Sequence, residues 1–462
     1  MQPCFHRIFT RLIILFLGVT MFKKTITKTI SVSAAAFLSL GCLAGCGTAE
    51  KADVAEISAN ETESADEETT TEADSIKEEA YAEEEITSSD SENTTSESSE
   101  TEVAEEVMEE ASVTDFDKME MRDITPTDLV AEMHTGWNLG NTFDSLGTSG
   151  LSAETSWGNP ETTREMIDAV HAKGFDVIRI PTTYMYHIGD APDYTVDPEW
   201  FARVEEVVNY ALDDGMYVII NTHHEEDWRI PDDAHIDEVD EKHKALWTQI
   251  ADYFADYGDH LIFEGLNEPR IKNDAHEWDG GTDEVRNCLN RLNKTFVDTV
   301  RASGGKNEKR LLLITSVAAS PLPVTINALE IPDDAHLGVS IHAYTPYAFT
   351  FDIDEDWELN SWDGSHKNEI QTVFRDIKRT FLDKGIPVII TEYGAIHKND
   401  DIEDVTKWVT DYLTIANDNG VPCIWWDNGQ YEEGNEHFAI FNRYDLSWYR
   451  ESVVDAIMDV CR

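Results

Sequence analysis

The sequence predicts a (β/α)8 barrel that is preceded by an export signal and an acidic linker. From about residue 114, short apolar, β-branched runs alternate with amphipathic stretches, and there are eight such runs. Eight alternating units over residues 113–462 fit one barrel with insertions. Polar side chains gather at the carboxyl ends of these runs, where barrels of this kind carry their active sites.

The N-terminal region has the layout of an export signal. Residues 1–46 carry five basic residues and no acid, and an apolar stretch over residues 30–44 is too short to span a bilayer. The tetrapeptide at 43–46, Leu-Ala-Gly-Cys, resembles a bacterial lipobox, which implies cleavage before Cys46 and a diacylglycerol on its sulfur. We therefore expect an exported protein that is held at the cell surface by this lipid alone, or is secreted if the signal is an ordinary one. Translation is expected to start at Met21.

Residues 47–112 predict a disordered linker. They hold 24 acidic residues against two lysines, with Tyr81 as the one aromatic residue, and such a composition cannot bury enough apolar area to offset chain entropy. The whole chain carries a formal charge of −57. Because nucleic acids and anionic lipid surfaces bind basic faces, neither is an expected partner of this chain.

Residues 113–462 form the predicted catalytic domain. Period-two apolar runs predict strands at 134–139, 176–181, 216–222, 260–266, 310–316, 337–342, 386–391 and 422–426. Amphipathic stretches predict helices at 161–173, 199–213, 238–257, 282–302, 366–384, 402–418 and 448–459, with a weaker one at 322–330. A doubly wound open sheet is the alternative, but residues 136–141 lack the third glycine and the following helix of a dinucleotide-binding loop.

Six of the eight predicted strands end in polar or aromatic side chains. In chain order these are Arg179, His223 and His224, Asn267 and Glu268, His342 and Tyr344, Glu392, and Trp425 and Trp426. Two glutamates, on strands four and seven, would then face each other across the barrel mouth. Paired carboxyl groups are the minimum requirement for glycoside hydrolysis, which retains configuration at a separation of about 5 Å and inverts it at about 6.5–9.5 Å.

The motifs at these strand ends resemble those of glycoside hydrolase family 5. They are GWNLGNTFD at 136–144, IRIP at 178–181, INTHHE at 220–225, FEGLNEPR at 263–270, SIHAYTPYAF at 340–349, IITEYGA at 389–395 and IWWDNG at 424–429. Within the family they look most like bacterial endo-acting β-1,4-glucanases. The resemblance implies a barrel fold and no cofactor.

The resemblance also implies roles for the residues around the two glutamates. Glu268 would be the general acid/base and Glu392 the nucleophile. Asn267 would hydrogen-bond the sugar 2-hydroxyl, and Arg179 and Tyr344 would hold the nucleophile in its charged form.

The remaining strand-end residues are implied to bind substrate. His342 would lie beside the acid/base, while His223 and His224 would line the glycone side. A tryptophan at the end of strand eight would form the floor of the −1 subsite. Because neighbours on a strand point to opposite faces, only one of Trp425 and Trp426 can do so, and we favour Trp426.

A metal centre is not expected, because adjacent histidines on a strand diverge and no third ligand of suitable spacing accompanies residues 223–225. The cysteines at 288, 423 and 461 are widely spaced and predict buried free thiols. Five loop aromatics could either bind sugar faces or pack within loops: Trp157, Trp228, Tyr347, Trp357 and Trp362.

The sequence thus predicts a monomeric, retaining endo-β-1,4-glucanase that hydrolyses internal bonds of plant-wall β-glucans with two glutamates. A xyloglucanase, a lichenase or a β-mannanase would share this catalytic set and differ in its loops. A different class, a non-catalytic glycan-binding surface lipoprotein, would keep the barrel without turnover.

Overall fold

The computed structural model describes residues 116–351, 359–398, 402–432 and 436–462. The predicted signal, Cys46 and the acidic linker lie outside these residues, as does Trp357. Within the described part of the chain, no helix combines the length and apolar character needed to cross a membrane.

Eight parallel strands close into a barrel in sequence order, which confirms the predicted fold class. The strands are β1 (Thr135–Asn138), β2 (Val177–Ile180), β3 (Tyr217–Asn221), β4 (Leu261–Glu264), β5 (Leu312–Thr315), β6 (Leu337–His342), β7 (Val388–Tyr393) and β8 (Cys423–Trp425). The last strand pairs with the first, with Gly136 opposite Ile424, so the sheet has no open edge. All eight predicted strands are present.

Helices surround the barrel and follow the predicted alternation. They are α1 (Pro126–Ala131), α2 (Arg164–Lys173), α3 (Pro198–Asp213), α4 (Ile236–Tyr253), α5 (Asp283–Ala302), α6 (Pro323–Ile326), α7 (Tyr347–Thr350), α8 (Lys367–Thr380), α9 (Ile402–Asp418) and α10 (Glu451–Cys461). The weak segment predicted after strand five is a single turn, α6. The short helices α1 and α7 were not predicted, because four to six residues show too little periodicity.

The barrel interior near the amino ends of the strands is apolar. One cluster of buried residues brings together Val177, Ile219, Ile262, Leu313, Ile389 and Ile424, and Leu129 and Val130 of α1 pack with them. Their neighbours in the chain point outward and pack against the surrounding helices in a second, larger cluster. This alternation follows from the two-residue period of a strand.

Two residues further along the same strands, the interior becomes polar. The inward positions above the apolar layer are Asn138, Arg179, Asn221, Glu264, Ser340 and Thr391, and all six are buried. The three cysteines in the described residues are buried free thiols, as predicted.

Candidate active site

Glu392, at the end of β7, accepts hydrogen bonds on both carboxylate oxygens. Arg179 Nη1 donates to Oε1 at 2.7 Å, and the Tyr344 hydroxyl donates to Oε2 at 3.0 Å. His342 Nδ1 lies 3.4 Å from Oε2. The Glu392 carboxylate is therefore held in place by residues from two other segments of the chain, β2 and the end of β6.

Arg179 is fully buried, and its guanidinium is held by several inward-facing side chains. Nε donates to Glu264 at 2.7 Å, Nη1 to Asn138 at 3.0 Å and Nη2 to Asn267 at 2.7 Å. An arginine buried without such partners would carry a large desolvation cost. The site therefore depends on a polar layer inside the barrel.

Glu264 and Asn138 belong to this polar layer as well, and neither was among the residues predicted from the sequence. Glu264 also accepts a hydrogen bond from Asn221 Nδ2 at 2.9 Å and another from the Ser340 hydroxyl. Asn138 Nδ2 donates to the carbonyl of Thr391 at 2.9 Å. Glu264 could have been recognised from the sequence, because it is a charged residue at an inward position of an otherwise apolar strand, Leu-Ile-Phe-Glu in β4.

Glu268 lies four residues beyond the end of β4 and faces Glu392. His342 Nδ1 is 2.8 Å from its Oε1, and Arg270 Nη1 is 3.5 Å from its Oε2. One carboxylate oxygen of Glu268 lies within 4.8 Å of one of Glu392. The Glu268 side chain is 22% exposed against 7% for Glu392, so it is the more accessible of the two.

The two carboxyl groups influence each other's titration. Burial raises the pKa of Glu392, and the Glu268 charge adds to the rise against the opposing charges of His342 and Arg179. Burial also acts to raise the pKa of Glu268, but the hydrogen bond with His342 and the charge of Arg270 outweigh it and lower that pKa. The titrations of the two groups are therefore linked, because the charge on Glu268 disfavours ionisation of Glu392.

His223, His224 and Trp426 form one wall of the site. The Trp426 ring lies parallel to the His223 ring, with 5.8 Å between centroids, and His223 meets His224 edge to face at 4.5 Å. Burial lowers the pKa of His223 well below its ordinary value, so that ring stays neutral. Gly140 permits this wall, because a Cβ there would lie 2.9 Å from the Trp426 ring.

Trp425 does not belong to the site, which corrects its inclusion among the substrate-binding candidates. Its side chain is fully buried, and its indole N–H donates to the Phe438 carbonyl at 2.9 Å. Its ring packs edge to face against Tyr393 and Trp408. Trp425 points outward from the barrel because it occupies the alternate face of β8.

A third potential ligand lies beside the two histidines in space, although none accompanies them at a suitable spacing in the sequence. Asp144 brings a carboxylate oxygen within 4.8 Å of donor atoms of His223 and His224. Both Asp144 oxygens accept backbone N–H groups, from Thr142 at 2.7 Å and Asn141 at 3.0 Å. Asp144 lies some 80 residues before the histidines, so sequence spacing could not reveal it.

The loop aromatics divide between the two alternatives. Trp362 is buried, and its indole N–H donates a hydrogen bond to Asp411. The Trp228 ring makes cation–π contacts with Arg229 and Lys242. Both side chains therefore pack within loops. Trp157 lies 6.0 Å from His224, and Tyr347 is 57% exposed and stacks on Phe351. Neither of these two side chains is buried.

The fold and the site together define a glycoside hydrolase of the (β/α)8 class that carries its two glutamates on strands four and seven. The family model for cellulase, glycosyl hydrolase family 5, matches residues 140–432. The chain belongs to this family.

Curated relatives and solved structures agree with this assignment. Endoglucanase A of Ruminococcus albus is 60% identical over 74% of this chain and 94% of its own length. A xyloglucan-specific endo-β-1,4-glucanase from a metagenomic library, solved with cellotriose, is 45% identical and covers 72% of this chain and 98% of its own, with a TM-score of 0.70. A broad-specificity endoglucanase from Ruminococcus champanellensis, solved with bound cellotriose, is 43% identical. It covers 73% of this chain and 99% of its own, with a TM-score of 0.71.

Proposed function

We propose that this protein is a retaining endo-β-1,4-glucanase that hydrolyses internal bonds of plant-wall β-glucans. The observation that carries the proposal is the approach of Glu268 and Glu392 to within 4.8 Å between oxygens. Retaining enzymes hold their two carboxyl groups about 5–5.5 Å apart, whereas inverting enzymes hold them about 6.5–9.5 Å apart, so this approach favours retention. The names of the relatives support the endo-acting glucanase activity.

The first step forms a covalent glycosyl-enzyme ester. Glu392 attacks the anomeric carbon, the bond from that carbon to the glycosidic oxygen breaks, and Glu268 gives its proton to the departing oxygen. Arg179 and Tyr344 keep the attacking carboxylate oriented through the two hydrogen bonds described above. Asn267, fixed by Arg179, is placed to hydrogen-bond the 2-hydroxyl of the sugar.

The second step releases the sugar with its original configuration. Glu268, now ionised, takes a proton from water as that water attacks the anomeric carbon, and the ester to Glu392 breaks. The proton that Glu268 donates must lie on Glu268 at the start of each cycle. Arg179 and Tyr344 stabilise charge on Glu392, and bound glucan removes water from the partly exposed Glu268, so substrate binding moves the proton to Glu268.

The substrate class follows from charge and from the neighbouring structures. A chain of formal charge −57 disfavours polyanionic substrates, which leaves neutral glucans. A xyloglucanase is the second candidate, because one similar structure is specific for xyloglucan. Lichenase activity is supported in the same way by a family 5 lichenase at 34% identity. A β-mannanase has no such support among these structures.

The decisive experiment replaces each glutamate in turn. Glu268→Ala and Glu392→Ala should each abolish reducing-sugar release from soluble β-glucan, because each removes one half of the double displacement. Azide should rescue Glu392→Ala by attacking the anomeric carbon from the face that the nucleophile has vacated, and the product should be an α-glycosyl azide, whose inverted configuration proton NMR of the anomeric proton would identify. Full activity in either variant would refute the mechanism, and binding without turnover by the unmodified protein would favour the non-catalytic class.

We also propose that the enzyme is exported as a monomer and anchored at Cys46 through a diacylglycerol, with residues 47–112 as a flexible spacer. The basic start, the short apolar stretch and the lipobox-like tetrapeptide support this organisation. Labelled palmitate should be incorporated into the wild-type protein and not into Cys46→Ser. Labelling of both proteins equally would contradict the proposed anchor.

A further inference from the structure

Arg270 places a positive charge beside Glu268. It lies two residues beyond Glu268, in the loop between β4 and α5. Its Nη1 donates a hydrogen bond to the Glu268 backbone carbonyl at 2.8 Å and lies 3.5 Å from the Glu268 carboxylate. The Arg270 side chain is 11% exposed, and the Trp278 ring covers one face of its guanidinium. Water therefore screens this charge poorly, so it acts strongly on the Glu268 carboxyl group.

A positive charge at this place opposes the role of Glu268 as a proton donor. A nearby cation favours the carboxylate over the protonated acid. Burial acts to raise the pKa of Glu268, but the hydrogen bond with His342 and the charges of Arg270 and His224 lower it. A general acid must hold its proton at the working pH. The effect of Arg270 on Glu268 therefore has to be limited by other groups.

Two further carboxylates contact the guanidinium of Arg270. Its Nε donates a hydrogen bond to Glu277 Oε1 at 3.0 Å, and Glu226 Oε1 lies 3.6 Å from its Nη1. Burial acts to raise the pKa of Glu226, but the contacts with His224 outweigh it and lower that pKa to about 2, so Glu226 is ionised. Each of these negative charges offsets part of the Arg270 charge that acts on the acid/base.

The other titratable groups that interact electrostatically with Glu268 lie on three neighbouring segments of the barrel mouth. They are His224 beyond β3, His342 of β6 with Tyr344 beyond it, and Glu392 of β7. All of them belong to the catalytic or substrate-binding set, so a change to any of them alters the site directly. Glu277 contacts Arg270 and not the Glu268 carboxylate, so its charge can be removed without changing that set.

We propose that Arg270 is a positioning residue for the acid/base, and that its charge, offset by Glu226 and Glu277, sets the pH above which Glu268 no longer serves as the general acid. This rests on the proposed endoglucanase function. The two offsetting carboxylates keep Arg270 from ionising Glu268 before the reaction begins. The positive charge that remains stabilises the carboxylate that forms as Glu268 gives its proton to the departing oxygen.

The pH dependence of kcat/KM for cellopentaose measures this role, because activity is lost at high pH when Glu268 loses its proton. Arg270→Met removes the positive charge, so the alkaline limb should move to higher pH by about one unit. Glu277→Gln keeps the side-chain shape but leaves Arg270 less offset, so the limb should move to lower pH by about half a unit. Arg270→Lys retains the charge and should leave the limb close to that of the wild type.

A second substrate and a matched variant serve as controls. 2,4-Dinitrophenyl β-cellobioside releases a phenolate that needs no proton, so the alkaline limb set by Glu268 should be absent from its kcat/KM profile. Asp334→Asn also removes one negative charge from an arginine, because Asp334 pairs with Arg301 at 2.7 Å and is 15% exposed against 16% for Glu277. Asp334 precedes β6 and thus lies at the opposite end of the barrel, so this variant should leave the limb in place.

Several results would overturn the role assigned to Arg270. One is an alkaline limb that stays in place, or moves in the same direction, in both Arg270→Met and Glu277→Gln; lower activity without opposite shifts would show a merely structural role. If Arg270→Met does not fold, Glu277→Gln decides alone, and an unmoved limb there refutes the proposal. An equal shift in Asp334→Asn would assign the effect to overall charge. If the wild-type protein hydrolyses neither substrate, the endoglucanase function itself fails.

Discussion

The two ends of the barrel interior differ in chemistry although they are built from the same strands. Near the amino ends, Ile219, Ile262 and Ile424 belong to a dry apolar cluster. One inward position further along, Arg179 and Glu264 form a buried ion pair at 2.7 Å. The apolar layer is stabilised by any side chains that fill its volume and make contact. The polar layer is stable only when each of its buried polar groups has its partner.

This difference shows how the fold separates stability from chemistry. Burial of apolar side chains is non-directional, so the lower layer tolerates some repacking. A buried charge without its partner is expensive, so removing one member of the upper layer leaves the others unpaired. Substitutions in the upper layer should therefore impair the site itself, and those in the lower layer should affect unfolding alone.

The largest expected effect comes from Arg179→Met, which places an apolar chain in the polar layer. Glu264 and Glu392 would lose their shared cation, at a cost of about 3–5 kcal/mol in the free energy of unfolding. We expect kcat/KM on β-glucan to fall by about 10²–10³-fold even where the protein is folded. Urea unfolding and steady-state kinetics measure the two effects, and near-normal kinetics would contradict the dependence of Glu392 on this layer.

A change in the lower layer should separate the two properties. Ile262 lies two residues before Glu264 on β4, and both face the barrel interior. Ile262→Ala should lower the free energy of unfolding by about 2–5 kcal/mol through lost burial and a cavity. At temperatures where the variant stays folded, kcat/KM should equal that of the wild type; a parallel loss of activity would show that the two layers are coupled.

A smaller and more specific effect is expected from Tyr344→Phe. The variant loses the hydroxyl that donates to Glu392 at 3.0 Å, which disfavours the carboxylate and raises the pKa of Glu392 further. Because the nucleophile must be ionised, activity is lost as pH falls through this pKa. The acid limb of the kcat/KM profile should therefore move to higher pH, with about tenfold lower activity at the optimum. An unmoved acid limb would assign that limb to another group.

The residues that sequence reasoning identified share a local signature. Arg179, Glu268 and Glu392 each end an apolar run, and the end of a parallel strand is a position that can be read from the run itself. The residues it missed have their partners far away in the chain. Asn138 and Thr391 are 253 residues apart, and Glu264 and Arg179 are 85 residues apart.

The sequence by itself determined the barrel, the order of its strands and the two glutamates, because hydrophobic periodicity and strand-end motifs are local properties. The tertiary structure decided that Trp426 and not Trp425 faces the site, that Glu264 balances Arg179, and that Asp144 lies beside His223 and His224. These relations depend on the register between strands and on barrel closure. Both are set by packing among distant segments, so no single stretch of sequence encodes them.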